Sequence, residues 1–310
     1  MRAVNTIDKP RASAADQNIF FFLSDSFVFR NNPDNVETFR FEENGVEVVK
    51  IFFSRSGNSI KSLDYSPFGG FVLSPGASQD TLARMLAHIE DWCARSGVKE
   101  ICIRVYPNIY NPAESELVHR VLQRVGYRVV LKELLQFIAI DHDSFARFNR
   151  NRRRKLRGCV EAGFRFVRLS SDQIGTAYKI FVECRNNKNY PVTMSLADFE
   201  NAFEKFPEQY FLFGVLDGDT LVAASVCVAV NDKILYDFFH GDKLIARKFS
   251  PITLLLKGII EFCLAHDFRL LDLGVSTDTS GVNAGLQRFK YSFGSSDSQK
   301  FTFYKRVSNA

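Results

Sequence analysis

The 310-residue chain lacks the residue patterns that build metal centres and disulfide frameworks. Its six cysteines (Cys93, Cys102, Cys159, Cys184, Cys227 and Cys263) form no C-x-x-C pair, and its five histidines never fall at H-x-x-x-H spacing. These absences argue against a metal site and against a stapled secreted fold, and point to a reduced cytoplasmic compartment. The longest apolar runs, such as Leu221–Val230 and Ile252–Leu256, fall well short of the ~20 residues that span a bilayer. Met1 to Gln17 mixes charged and small residues without an apolar core, so no signal peptide is expected. Trp occurs once and Met three times, whereas Phe occurs 31 times. With 46% hydrophobic and 24% charged residues and a mean hydropathy of −0.10, the chain can bury a sizeable core, and its length suits two domains.

The elements that are there alternate in type. Runs at Thr38–Phe41, Val46–Phe53 and Ile60–Leu63, with a turn at Glu43-Asn44-Gly45, read as an antiparallel meander. Leu82, Met85, Leu86, Ile89 and Cys93 recur at helical spacing. A strand at Glu100–Tyr106, a helix at Ala113–Val125 and a strand at Tyr127–Ile140 follow. The second half repeats the order. Helices at Ser170–Arg185 and Asp198–Phe206 precede a meander (Phe211–Leu216, Leu221–Ala229, Lys233–His240). An apolar helix at Ile252–His266, a strand at Leu270–Ser276, a short helix at Asn283–Tyr291 and a strand at Lys300–Lys305 complete it. This predicts an α/β (α+β) chain with domains at 1–140 and 141–310. Ile89–Val105 can be laid on Ile259–Val275 at a constant offset of 170, matching Cys93 with Cys263 and Ile101 with Leu271. A second match, at offset 164, sets Leu122-Gln123-Arg124 and Tyr127 on Leu286-Gln287-Arg288 and Tyr291. Two fused copies of one unit are expected.

Charge is unevenly spread. Residues 1–140 carry 16 basic and 16 acidic side chains, and residues 141–310 carry 24 and 19, so the whole excess of +5 lies in the second half. An anionic ligand is therefore sought there first. Arg147, Arg150, Arg152, Arg153, Arg154, Lys155 and Arg157 form a run without an acidic residue. With Phe145, Phe148, Arg152, Leu156 and Cys159 on one face, it reads as an amphipathic helix, either a solvated bridge or a phosphate-contacting surface. Arg247-Lys248-Phe249-Ser250-Pro251-Ile252-Thr253 follows a strand and opens a helix. Ser250 is suited to the N-cap and Pro251 to the first turn, which predicts an anion site flanked by Arg247 and Lys248. Asp272 interrupts an apolar strand and needs a partner or a use, with Arg288 and Lys290 as candidate partners.

Ser250-Pro251-x-x-Leu254-Leu255-Leu256, Leu271-Asp272-Leu273-Gly274 and Gly285-Leu286-x-x-Phe289-Lys290-x-x-Phe293-Gly294 resemble the C-terminal half of the FemAB-like branch of GNAT acyltransferases. The basic helix before Gly163 looks like the arginine-rich helix that starts that half, and Pro67-Phe68-Gly69-Gly70 is similar to a glycine-rich strand end of the N-terminal unit. The resemblance covers roughly residues 60–300. It implies two tandem GNAT-like units, each a mixed, mostly antiparallel sheet flanked by helices. The implied activity is transfer of an acyl or aminoacyl group, from acyl-CoA or aminoacyl-tRNA, to an amine, with no permanently bound cofactor. The amine would belong to a small molecule or a cell-envelope precursor, and a tRNA donor would be met by residues 147–157. Asp237 and His240 would then relay a proton, Asp272 would sit on the next strand, and Tyr291 would serve as leaving-group acid. Arg247, Lys248, Ser250 and Thr253 would hold donor phosphates, and Arg288 and Lys290 the acceptor end. Arg247–Ile252 lacks the glycines of the usual Arg/Gln-x-x-Gly-x-Gly/Ala pyrophosphate loop, and no coiled-coil arm interrupts the second unit. A non-catalytic nucleotide- or RNA-binding protein on the same duplicated scaffold is the alternative.

Overall fold

The computed structural model describes residues 3–5, 19–31, 35–43, 45–188, 190–278 and 280–307, so Asn44 and most of Met1–Gln17 lie outside it. In chain order the elements are β1 (Ala3–Asn5), α1 (Asp25–Asn31), β2 (Val36–Glu43), β3 (Val46–Ser56), β4 (Ser59–Lys61), β5 (Phe71–Leu73), α2 (Gln79–Arg95), β6 (Glu100–Arg104), α3 (Pro112–Arg124) and β7 (Arg128–Ala139). They continue with α4 (Arg150–Glu161), β8 (Arg165–Leu169), α5 (Ile174–Asn186), α6 (Leu196–Lys205), β9 (Tyr210–Asp217), β10 (Thr220–Ala229), β11 (Ile234–Asp242) and α7 (Pro251–Ala265). The last are β12 (Leu270–Val275), β13 (Thr277–Asp278), β14 (Gly281–Val282), α8 (Ala284–Tyr291) and β15 (Ser296–Arg306).

The chain divides into two units, Met1–Leu134 with Ser298–Ala310, and Leu135–Asp297, so the division falls within β7 and β15. In the first unit β2 and β3 form an antiparallel pair, β4 runs parallel to β6, and Thr302–Arg306 of β15 lies antiparallel on the other side of β6. The apolar stripe of α2 (Leu82, Met85, Leu86, Ile89, Cys93) is wholly buried against the sheet residues Val49, Ile51, Ile101 and Ile103. Alternation in the strands and 3.6-residue periodicity in the helix point the same apolar set at one core.

The second unit is built alike. β8, β9, β10 and β11 are successive antiparallel neighbours, β11 runs parallel to β12, and Leu135–Ala139 of β7 lies antiparallel on the other side of β12. Helix α7 is apolar nearly all round because it is buried nearly all round; at Gly258 a side chain would collide with the Phe166 ring. Ile89–Val105 and Ile259–Val275 thus have equivalent neighbours, and the matched pairs Cys93/Cys263, Ile101/Leu271 and Ile103/Leu273 are all core. Burial pushes the Cys93 thiol up to about 12 and Cys263 up as well, as expected of packing residues.

The match at offset 164 fails. Tyr127 lies beyond the end of α3 and is buried, whereas Tyr291 is the last residue of α8 and is 40% exposed. Polar Gln-Arg pairs on two helix surfaces were coincidental. The basic helix also differs from the sequence reading: it starts at Arg150, capped by Asn149, so Phe145 and Phe148 belong to the turns before it and share no helix face with Leu156. Arg152 faces inward.

Candidate functional site

The site-forming features of the second unit begin as irregularities in regular strands. β11 pairs with β12 only as far as Tyr236↔Asp272, although β11 runs on to Asp242, so the parallel strands part there. Between β10 and β11 the register steps from Val226↔Phe239 to Cys227↔Asp237, leaving Phe238 as the extra residue of a bulge. Residues three apart on a regular strand face opposite sides; the bulge puts Asp237 and His240 on the same side. Opposite them stand Cys227 and Ser225.

The result is a short relay. The Ser225 hydroxyl donates to Asp237 Oδ1 at 2.6 Å, and His240 Nδ1 meets Asp237 Oδ2 at 2.7 Å. Ser225 and the Asp237 side chain are buried, while the His240 side chain is 26% exposed. Burial alone would raise the Asp237 carboxyl. The charge of His240, the hydrogen bonds from His240 and Ser225, and the charge of Lys290 outweigh it and hold the group below the usual carboxylate range. An ionised Asp237 accepts Nδ1–H, which fixes the imidazole tautomer and leaves Nε2 as the basic nitrogen.

A second irregularity lies on β12. Its register with β7 steps from Asp272↔Phe137 to Val275↔Leu135, and Gly274 adopts φ +74°, a left-handed conformation open to glycine. Two charged side chains brace this bulge. Asp272 Oδ1 accepts from Gly274 N–H at 2.7 Å, and Lys290 Nζ donates to Gly274 O at 2.7 Å and Val275 O at 2.9 Å. Desolvation lowers the Lys290 amine to about 8, with Asp272 and Asp237 pulling the other way. Lys290 therefore lies in the field of both acids.

The remaining candidates are placed as follows. Arg288 is exposed on α8. Tyr291 is exposed as well, its hydroxyl donating to Asp297 Oδ2 at 2.5 Å; that hydrogen bond, with burial and the Asp297 charge, raises the phenol. Arg247 pairs with Asp242 at 3.1 Å, and Lys248 is exposed with its ammonium 4.9 Å from the Phe249 ring centroid. Ser250 does precede Pro251, but it is no side-chain cap. Its backbone is left-handed (φ +62°), which turns the hydroxyl away from the helix N–H groups and onto Thr253 Oγ1 at 3.1 Å and Arg152 Nη1 at 3.1 Å. Ser225 escaped the sequence reading; Arg152 was placed there in the basic run and on the face of Leu156 and Cys159, with which it is indeed turned inward. A lone serine in the apolar run Leu221–Ala229 was the available signal for Ser225, and its partner could not be known without the register.

No helix among the described residues is long and apolar enough to cross a membrane, and no group of three potential ligands is arranged to hold a metal ion. Residues 144–291, most of the second unit, match the acetyltransferase (GNAT) domain family. The whole chain is similar in structure to FemX, with a TM-score of 0.69, 13% identity, and coverage of 93% of this chain and 92% of that one. It is similar to the C-terminal domain (DUF2156) of a putative lysylphosphatidylglycerol synthetase from Agrobacterium fabrum, with a TM-score of 0.58, 12% identity and coverage of 87% and 84%. It is also similar to a tandem GNAT protein from the clavulanic acid biosynthesis pathway, with a TM-score of 0.54, 10% identity and coverage of 89% and 84%. The chain thus shares its fold with FemX and with the tandem GNAT protein. No curated protein sequence matches the chain.

Proposed function

We propose that the second unit transfers an acyl or aminoacyl group to an amine, with His240 as general base. The carrying observation is the Ser225–Asp237–His240 relay, set where β11 and β12 part. Nε2 of His240 takes a proton from the acceptor ammonium or from the attacking amine. Nitrogen adds to the donor carbonyl carbon, a C–N bond forms, and the C–S bond of a thioester or the C–O bond of an ester breaks. The departing sulfur or oxygen takes a proton from Tyr291. No covalent enzyme intermediate is required, which suits a chain whose thiols in this unit include Cys159, raised by burial to about 11.

In this reading residues 141–310 bind the donor, and Arg247, Lys248, Ser250 and Thr253 hold its phosphates. Asp272 and Lys290 shape the strand edge at which the acceptor lies, and Arg288 adds charge at that end. GNAT domains use acyl-CoA. An aminoacyl-tRNA donor is supported by the exposed Arg150, Arg153, Arg154 and Arg157 of α4. The acceptor is an amine of a small molecule or a cell-envelope precursor.

The test is a mass-spectrometric search for amide product with panels of CoA thioesters and aminoacyl-tRNAs against small amines, using wild type and His240→Ala. Product from the wild type and its loss in the variant support the reading. A variant as active as wild type overturns the role of His240. Salt-dependent RNA binding without amide product from any donor would leave a binding protein on the same scaffold.

A further inference from the structure

The turn that joins β11 to α7 sends two adjacent aliphatic side chains into solvent. Ile245 is 83% exposed, more than any other large apolar side chain among the described residues, and Leu244 beside it is 46% exposed. Ala246, the next residue, is buried. Single exposed aliphatic residues are ordinary on soluble proteins, but a neighbouring pair at the tip of a turn is an apolar projection.

The tip is held in that orientation by its backbone. Lys243 N–H donates to Val222 O of β10 at 2.8 Å, and Leu244 N–H to Glu183 Oε1 at 3.1 Å. Within the turn, Ala246 N–H donates to Lys243 O and Arg247 N–H to Leu244 O, both at 3.1 Å, and Phe249 N–H to Ala246 O at 3.0 Å. These bonds occupy polar groups that would otherwise need water, so the tip can enter an apolar medium without stripping them bare.

Charge flanks the pair. Lys243 precedes it and the exposed Lys248 follows it, and neither forms an ion pair among the described residues. Arg247 is matched by Asp242 at 3.1 Å. The tip therefore combines two aliphatic side chains with two unmatched ammonium groups, in the half of the chain that holds the whole +5 excess. An RNA surface has use for the ammonium groups but none for Leu244 and Ile245, since single strands are met by aromatic faces. A lipid interface takes both, aliphatic groups at the headgroup–acyl boundary and lysines at the level of anionic headgroups.

We propose that this turn is a surface anchor for an anionic bilayer. Leu244 and Ile245 insert shallowly, Lys243 lies at the lipid phosphates, and Lys248 adds to the attraction. The chain docks on one leaflet and spans nothing. This goes beyond the transfer reading and needs neither its donor nor its acceptor.

Vesicle binding by the full chain is the test. The protein should co-sediment with vesicles of mixed phosphatidylcholine and phosphatidylglycerol, and far less with phosphatidylcholine alone. Leu244→Ser combined with Ile245→Ser should weaken binding about 10-fold or more, and Lys243→Gln about 5-fold, with circular-dichroism melts confirming that the variants fold. Ile245→Trp gives an independent readout. Its indole emission should move to shorter wavelength on vesicle addition and be quenched by brominated lipid, against the constant signal of Trp92, the chain's one native tryptophan. No binding to the anionic vesicles, binding that the double substitution leaves unchanged, or an indole that brominated lipid does not quench overturns the anchor. An RNA affinity or an oligomeric state that the double substitution alters, without vesicle binding, assigns the tip to RNA or to a second copy and overturns it too. Absence of amide product from every donor counts against the transfer reading alone, because vesicle binding is read without any donor.

Discussion

The two units put the same helix and strand to different uses. In the first, the parting of β4 and β6 is stitched shut. Ser62 N–H donates to Cys102 O at 2.9 Å, Gly69 N–H to Arg104 O at 2.8 Å, and the Ser62 hydroxyl accepts from Arg104 N–H at 2.8 Å. The segment from Ser62 to Gly69 occupies the place where, in the second unit, β11 leaves β12. Cys102 sits where the second unit has Asp272, and Arg104 where it has Gly274 with its left-handed backbone. The helix starts differ likewise. Ser78 caps α2 from ordinary extended backbone, its hydroxyl accepting from Thr81 N–H at 3.0 Å, and Asp80 stands in the first turn. Ser250 does neither. Both units have irregularities, among them Leu63 at φ +53° and the buried Lys50 in the first, but in the second a bulge brings Asp237 and His240 to one side of the strand where its parallel neighbour leaves it.

The sharpest way to break this comparison is to remove the relay. Asp237→Asn and His240→Ala should each lower the rate of transfer by about 10²- to 10⁴-fold, the range of positioned general-base catalysis. Cys102→Ala, at the first unit's counterpart of Asp272, should leave the rate within about 2-fold. Rate assays beside circular-dichroism melts of all three variants check this, and an equal loss in Cys102→Ala would end the distinction between the units.

Lys290 comes next. Its ammonium supplies two hydrogen bonds to the Gly274 bulge, so Lys290→Ala should destabilise by about 2 kcal/mol, while turnover falls by a larger factor than that loss of folding explains. Its pH signature is specific. The folded amine titrates near 8 and the unfolded one near 10.5, so the unfolded chain binds more protons between those values. The stability of the wild type relative to Lys290→Ala should therefore rise as pH increases from about 8 to 10.5, by at most about 3 kcal/mol. Denaturant melts across that range decide it, and a difference that falls with pH would contradict the buried position. Gly274→Ala probes the same bulge from the backbone side and should cost about 1–2 kcal/mol, because alanine must adopt φ +74°.

Much of the fold could be read from sequence because it depends on local periodicity. The stripe Leu82, Met85, Leu86, Ile89 and Cys93, and the match of Ile89–Val105 to Ile259–Val275, record burial directly in residue type. The site was half legible. Asp237, His240, Asp272 and Lys290 stood out as charge in apolar strands or through family likeness. What joins them did not, because a bulge at Phe238 is a property of register between two strands and leaves no mark in either. Ser250 was legible as a helix start and misread as a cap, since Ser-Pro describes the residue types and is silent on a left-handed φ. Arg152 could be set on the face of Leu156 and Cys159 by helical spacing alone, but its partners Ser250, Thr253 and Ser292 come from distant segments and appear only in the fold.

The smallest effect separates the two helix starts. Ser78 has φ −94° and Ser250 φ +62°, and both are followed by a long buried helix. Threonine is a competent N-cap on extended backbone, so Ser78→Thr should change stability by no more than about 0.5 kcal/mol. A β-branched residue in the left-handed region is sterically costly, so Ser250→Thr should lose about 1–2 kcal/mol. A tight site could produce that loss by crowding alone. Ser250→Ala and Ser250→Gly resolve the ambiguity, because both remove the hydroxyl that faces Arg152 and neither adds bulk. They differ in backbone: glycine adopts the left-handed conformation freely and should lie about 1 kcal/mol above alanine. If Ser250→Gly and Ser250→Ala melt together while Ser250→Thr is destabilised, crowding explains the threonine result and Ser250 carries no backbone strain.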